Sequence, residues 1–243
     1  MNKTAIITGA SSGIGGAVAL ALGNAGYSLI LSGRDQGKLE TLRRQIASSV
    51  SCTIISADMS TREGIEGLVK AITIDCPKVD VLVNAAAIWH GEDEVFAGKD
   101  LETFPEQVVI DTMMVGIMTP ILLSRALIPL LSSGGKIINL TGTFENGGKG
   151  WIPYFVSKRA LEDLTVALAD ELKDRGIQVN AFSPSDTATA QYQKYFPQYM
   201  DEAIAPENIA KEVLRLCSPV GNSITGQVFV IKKDQPTTPK FHA

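Results

Sequence analysis

The chain has 243 residues, 45% of them hydrophobic, with a formal net charge of −4. That composition suits one α/β domain with a substantial core, and without a basic block it gives nucleic acid no reason to be a partner. Cys52, Cys76 and Cys217 are scattered at no metal-like spacing, so reduced thiols, no metal centre and a cytoplasmic location are expected.

The first apolar run, 5–8, reads as a buried strand, and it starts so close to Met1 that no signal or transit peptide is expected. Thr8-Gly9-Ala10-Ser11-Ser12-Gly13-Ile14-Gly15 follows, then an apolar stretch at 17–22 that reads as a helix stopping near Gly26. Strand, glycine turn and helix bring backbone N–H groups to a helix N-terminus, an arrangement that holds a pyrophosphate. The glycine spacing is not that of the GxGxxG fingerprint. Further strands are predicted at 28–32, 53–56, 79–84, 136–140, 178–182 and 227–231, with helical patterns between them. Such alternation implies a single domain over 1–243, an α/β fold on a doubly wound, seven-stranded parallel sheet with helices on both faces. Residues 113–131 are strongly apolar but contain Pro120, Arg125 and Pro129, so a buried core or subunit-contact helix is expected rather than a membrane span. Residues 236–239 are expected to lack regular structure.

Two longer irregular segments, 86–100 and 184–205, fall at the carboxyl edge of the sheet, where open α/β sheets bind ligands. The first carries Trp89 and His90, the second Tyr192, Tyr195, Phe196 and Tyr199. With Trp151 they suggest an apolar, partly aromatic pocket under a mobile lid, suited to a small to medium apolar substrate, in which His90 touches substrate rather than a metal. In Tyr154-Phe155-Val156-Ser157-Lys158 a helix would place Tyr154 and Lys158 on one face, about one turn apart. The ammonium would favour phenolate and lower the phenol towards the working range.

These two motifs and their separation resemble the short-chain dehydrogenase/reductase family from Lys3 to about Val230. The family's TGxxxGxG opening is matched by Thr8 to Gly15, and its YxxxK pair by Tyr154 and Lys158. The resemblance implies a Rossmann-type fold and a nicotinamide-dependent oxidoreductase interconverting a carbonyl and a secondary alcohol. Tyr154 would exchange a proton with the substrate oxygen, and Lys158 would bind the nicotinamide ribose and hold the phenol pKa down. Gly9, Ser11, Ser12, Gly13, Ile14 and Gly15 would form the dinucleotide loop. Gly33 stands where an acid would repel a 2′-phosphate, and Arg34 follows it, which favours NADP(H) over NAD(H). Asp58 and Met59 would flank the adenine, although Asp58 reads equally as a helix cap. Asn84, Ala85 and Ala86 stand where the family has NNAG, with Ala87 in place of the glycine. Pro184, Thr187 and Thr189 match the turn on the nicotinamide side, with Ser185 in place of a glycine. Related proteins commonly pair through their long helices, so a homodimer or homotetramer is expected.

Two positions depart from the family. Its serine, which hydrogen-bonds the substrate oxygen, falls on Thr141 when counted back thirteen residues from Tyr154, and on Gly142 when aligned from Asn139. Thr141 is the first choice and Thr143 the reserve; at Gly142 the donor would be missing. Met113 stands where an asparagine normally bends the long helix, three residues before Gly116, and holds a water linked to the lysine. These departures keep a second reading open, a non-catalytic nucleotide-binding protein with a regulatory or assembly role.

Overall fold

The computed structural model describes residues 2–145 and 147–242. Its strands are β1 (Thr4–Thr8), β2 (Ser28–Gly33), β3 (Cys52–Ser56), β4 (Val79–Asn84), β5 (Leu131–Leu140), β6 (Gln178–Pro184), β7 (Val228–Ile231) and β8 (Thr238–Pro239). They form one sheet in the order β3-β2-β1-β4-β5-β6-β7-β8. Neighbours from β3 through β7 run parallel, as the alternating pattern predicts; β8 is an antiparallel addition. The tail is therefore more ordered than expected. Thr238 pairs with Val230, Pro239 with Phe229, and Lys240 N–H donates to Val228 O at 2.8 Å. An open β7 edge is a template for any extended segment, and an edge strand tolerates a proline.

The pleat sorts β1 onto two faces. Ala5 and Ile7 pack with helices α1 (Gly13–Asn24), α2 (Gln36–Gln45) and α8 (Pro206–Cys217), while Ile6 joins α3 (Arg62–Asp75) and the helices of the other face. Each large aliphatic side chain buried this way contributes about 1.5–3 kcal/mol. Both faces are covered, which is why the strands read as continuous apolar runs.

The apolar segment becomes α4 (Glu106–Met113), a π turn (Met114–Met118) and α5 (Thr119–Leu127). Glu106–Leu130 is long and apolar enough to cross a membrane by those two measures, with mean hydropathy 1.7 and 44% of that window buried in the protein. Val115, Leu123 and Leu127 lie in the core, and Thr119 Oγ1 donates to Met59 O at 3.1 Å. The helix crosses α6 (Ile152–Glu171) closely, because a Cβ at Gly116 would lie 2.7 Å from Ser157 Cβ. A π turn widens the helix at that crossing, directly after Met113.

β1 and β4 are neighbours whose successors run to opposite sides, so a crevice opens above their carboxyl ends.

Candidate active site

A cleft of about 690 Å³ lies at that crevice. Gly9 (φ +65°) forms its floor; a Cβ there would stand 2.8 Å from the Ala86 backbone, so the turn after β1 and the end of β4 meet backbone to backbone. Thr8 Oγ1 fixes this approach by accepting from Ala85 N–H (3.1 Å) and Ala86 N–H (3.2 Å) and donating to Val83 O (3.4 Å). At the start of α1, Ser12 is the N-cap residue but makes no side-chain cap bond, and the first turn carries no acid. The free N–H groups and positive pole of α1 therefore suit an anion. Gly9, Ser11, Ser12, Gly13, Ile14 and Gly15 all line the cleft, so the residues present fit a dinucleotide.

At the end of β2, a Cβ on Gly33 would come within 2.8 Å of Ser11 Oγ. The Ser11 side chain thus takes the space an acid at position 33 would need. Arg34 is exposed on the cleft wall. Asp58 Oδ1 accepts from Ser60 N–H (3.0 Å) and Ser60 Oγ (2.8 Å); these bonds hold its carboxyl below the usual range, and the charge of Arg34 adds to the effect. The N-cap of α3 is Thr61, which accepts from Gly64 N–H at 3.0 Å, so Asp58 shapes the preceding turn instead. Asp58, Met59, Ala85, Ala86 and Ala87 line the cleft.

Asn84 does not. It is buried, and its Nδ2 donates to Asn139 Oδ1 (2.8 Å), whose own Nδ2 donates to Thr165 Oγ1 (2.9 Å). The pair ties β4 and β5 to α6 beneath the cleft. Pro184, Thr187 and Thr189 do line it. Thr189 also caps α7 (Ala190–Tyr195), accepting from Tyr192 N–H at 3.1 Å. With α7 and a 3₁₀ turn at Pro197–Glu202, the segment 184–205 is more regular than its sequence suggests. A polar cap ahead of a six-residue run is enough to close a short helix on a surface that packs it.

Tyr154 and Lys158 enter the cleft together from the first two turns of α6. The Lys158 ammonium lies 5.4 Å from the Tyr154 ring centre and donates to Leu140 O at 2.6 Å. Burial pulls Lys158 down to about 8. Burial first, and the charge of Asp186 second, push the Tyr154 phenol up. That is the opposite of the direction expected from an adjacent ammonium, because desolvation of the phenolate outweighs a cation that is itself weakened by burial.

Thr141 is not brought to the reacting centre. It is 3% exposed, its N–H (2.8 Å) and Oγ1 (3.2 Å) both donate to Phe182 O, and it lies outside the cleft lining. Gly142 and Thr143 line the cleft, and a Cβ on Gly142 would stand 3.8 Å from the Tyr154 hydroxyl. The alignment from Asn139 is the one the geometry follows. Thr143 Oγ1 faces Pro184 O at 3.5 Å, a weak tie that leaves the hydroxyl available to the cleft.

The outer wall is aromatic. The Trp89 ring lies 6.4 Å from Trp151, 6.2 Å from Tyr192 and 6.2 Å from Phe196, and its Nε1–H donates to Gln191 Oε1 at 2.6 Å. Tyr195 OH has Gly91 O (2.8 Å) and Glu92 O (2.7 Å) within reach of its single proton, and Lys194 pairs with Asp93 at 2.8 Å. The two predicted loops are thus fastened to each other over the cleft. His90 is 5% exposed, and burial pulls it down to about 4. Its Nδ1 accepts from Phe96 N–H at 2.8 Å, so the ring is neutral with its proton on Nε2. Among the described residues no cluster of His, Cys, Asp or Glu could hold a metal ion.

Sequence reasoning passed over two residues that shape this site, Asp186 and Gln191. Asp186 is polar just beyond the carboxyl end of β6, which is the signal that could have found it; Gln191 lies in α7 and carried no such signal.

Residues 3–200 match the profile of the short chain dehydrogenase family. A 3-oxoacyl-[acyl-carrier-protein] reductase FabG of Rickettsia bellii is 33% identical over 238 residues, covering 93% of this chain and 93% of that protein. The structure of a Brucella melitensis 3-ketoacyl-(acyl-carrier-protein) reductase complexed with NADH has a TM-score of 0.82 at 26% identity, covering 94% of this chain and 96% of the other. That of a Burkholderia cenocepacia short chain dehydrogenase in complex with NADP has 0.83 at 25% identity, covering 95% and 96%.

Proposed function

We propose that this chain, which belongs to the short-chain dehydrogenase/reductase family, interconverts a carbonyl and a secondary alcohol on a small to medium substrate and prefers NADP(H) to NAD(H). The observation that carries the reading is the placement of Tyr154 and Lys158 side by side in the cleft above the glycine turn. The nicotinamide supplies or accepts the hydride. Tyr154 keeps its proton until a carbonyl oxygen needs it, since burial and Asp186 raise its phenol. Lys158 holds a ribose hydroxyl and, anchored on Leu140 O, keeps positive charge near the phenol as proton transfer begins. Thr143, on the cleft wall, offers its hydroxyl to the reacting oxygen in place of Thr141.

The cofactor preference rests on Gly33, Ser11 and Arg34, because one solved relative holds NADH and the other NADP. A 2′-phosphate would meet the Arg34 guanidinium and the Ser11 hydroxyl where an acid would have repelled it. The reading includes a cytoplasmic homodimer or homotetramer.

The test is Tyr154→Phe. Turnover with NADPH should be nearly abolished across a panel of ketones, while NADPH affinity stays close to wild type; full activity in the variant would end the proposed chemistry. Gly142 and Met113 favour a second reading, a non-catalytic nucleotide-binding protein. Tight cofactor binding with no turnover by the wild-type chain on any panel member would select it.

A further inference from the structure

We propose that the substrate carries a positively charged ammonium group, received by the Asp186 carboxylate and the aromatic wall beside it. This rests on the oxidoreductase reading and names the substrate class for the same cleft.

Asp186 follows β6 by two residues, is exposed, and lines the cleft on the side of Tyr154 and Tyr192. Burial pushes the Tyr192 phenol up, and the charge of Asp186 and a hydrogen bond to it add to the shift; the same charge reaches Tyr154. The carboxylate and the Tyr154 hydroxyl thus line one cleft. No lysine, arginine or histidine among the described residues forms an ion pair with it, whereas Glu145 in the same wall is paired with Lys232. Lys158 is committed to Leu140 O, Arg34 lies at the adenosine end, and His90 is held neutral.

The rings point to the same ligand. Trp89 is nearly parallel to Trp151 (12°) and to Tyr192 (15°), and Phe196 closes the group. None of these four has a side-chain cation over its face among the described residues, although Tyr154, Phe144 and Tyr195 each do; Trp89, Trp151 and Phe196 are half-buried in the cleft wall, while Tyr192 is buried behind Trp89. Indole and phenol faces attract cations, most strongly once water is excluded. A purely apolar substrate would strip water from the carboxylate and return nothing, while an ammonium offsets that cost through both the carboxylate and the ring faces. A substrate with its own carboxylate would be repelled.

Positive charge could also come from the oxidised nicotinamide ring, so the experiment separates the two sources. A ketone bearing a trimethylammonium group and its tert-butyl isostere are compared by kcat/KM with saturating NADPH, in wild type and Asp186→Asn. The cationic ketone should be favoured about ten- to hundredfold in wild type, and Asp186→Asn should remove most of that preference. Equal kcat/KM for the two ketones in wild type overturns the proposal. So does a change confined to the NADP⁺ over NADPH affinity ratio in Asp186→Asn, which would assign the carboxylate to the cofactor. Tetramethylammonium binding, followed by tryptophan fluorescence in the NADPH complex, provides a readout independent of turnover. Saturable quenching that Asp186→Asn weakens, in a chain without turnover, would leave the cation site standing while the oxidoreductase reading fails.

Discussion

Gly142→Ser should make this a faster enzyme. A Cβ at position 142 would meet nothing closer than Phe144 Cε2 at 3.6 Å and the Tyr154 hydroxyl at 3.8 Å, both ordinary van der Waals separations. The backbone there is not in the left-handed region, so a side chain brings no strain and the loss of glycine freedom stabilises the fold by about 0.4–1 kcal/mol. A serine hydroxyl built on that Cβ sits beside the phenol, within reach of the oxygen that accepts its proton. Removing one well-placed donor to a developing oxyanion costs about 10²–10³ in kcat, roughly 2.7–4 kcal/mol, which bounds the gain from adding one. A rise of about ten- to hundredfold is expected, since the added donor lacks a second contact to hold its rotamer. The assay is steady-state kcat with saturating NADPH, with Gly142→Ala separating the methyl from the hydroxyl. A folded Gly142→Ser protein with wild-type NADPH affinity and unchanged or lower kcat would refute the reasoning.

Arg34→Ala should cut NADPH affinity about 10- to 150-fold, the equivalent of roughly 1.5–3 kcal/mol for a charge-assisted bond, with little change for NADH; equal wild-type affinities in a titration of both cofactors would remove the NADP assignment. Lys158 should set a pH limit: its folded pKa of about 8 lies below its ordinary 10.5, so the ammonium is lost as pH rises through 8 and NADPH affinity, followed by fluorescence titration, should fall there. The unfolded chain binds the extra proton between those two values, so the cost of burying that charge is full below pH 8 and is relieved towards 10.5; Lys158→Met should flatten this component of the denaturation profile. Thr141→Ala should lower thermal stability through its lost bond to Phe182 O while leaving kcat within about threefold, because a buried hydrogen bond contributes about 1 kcal/mol. Self-association is expected through exposed Ile110, Met118 and Ile121 on the long helix and Val156 and Val166 on α6; sedimentation showing a monomer at micromolar concentration would count against it.

What the sequence revealed divides along the range of the forces involved. β1, the glycine turn and α1 were legible because strand period, positive-φ turn and helix start are local. So was the Tyr154–Lys158 pair, which one helical turn determines. Asn84 illustrates the first limit: it lies in the matched motif, yet the pleat gives it the face of Leu82, towards Asn139 and α6, and its amide serves the sheet. Thr141 illustrates the second. Counting from Tyr154 assumes a loop length, whereas the pairing of Asn139 with Ala181 and Leu140 with Phe182 fixes where the chain leaves the sheet. Thr141 continues that pairing onto Phe182 O, and the next residue, Gly142, reaches the phenol. Strand register therefore outranks sequence distance in assigning the donor position. β8 and Asp186 mark the third limit, since each has its meaning only beside a partner far along the chain: β7 for the tail, α6 for the carboxylate. Burial first and the charge of Asp186 second raise the phenol that a lysine was expected to lower, so the site's proton chemistry follows from how α6 packs against the sheet and the turn beyond β6. The residues that identify the family are local in sequence, and the ones that would distinguish this chain within it meet only in three dimensions.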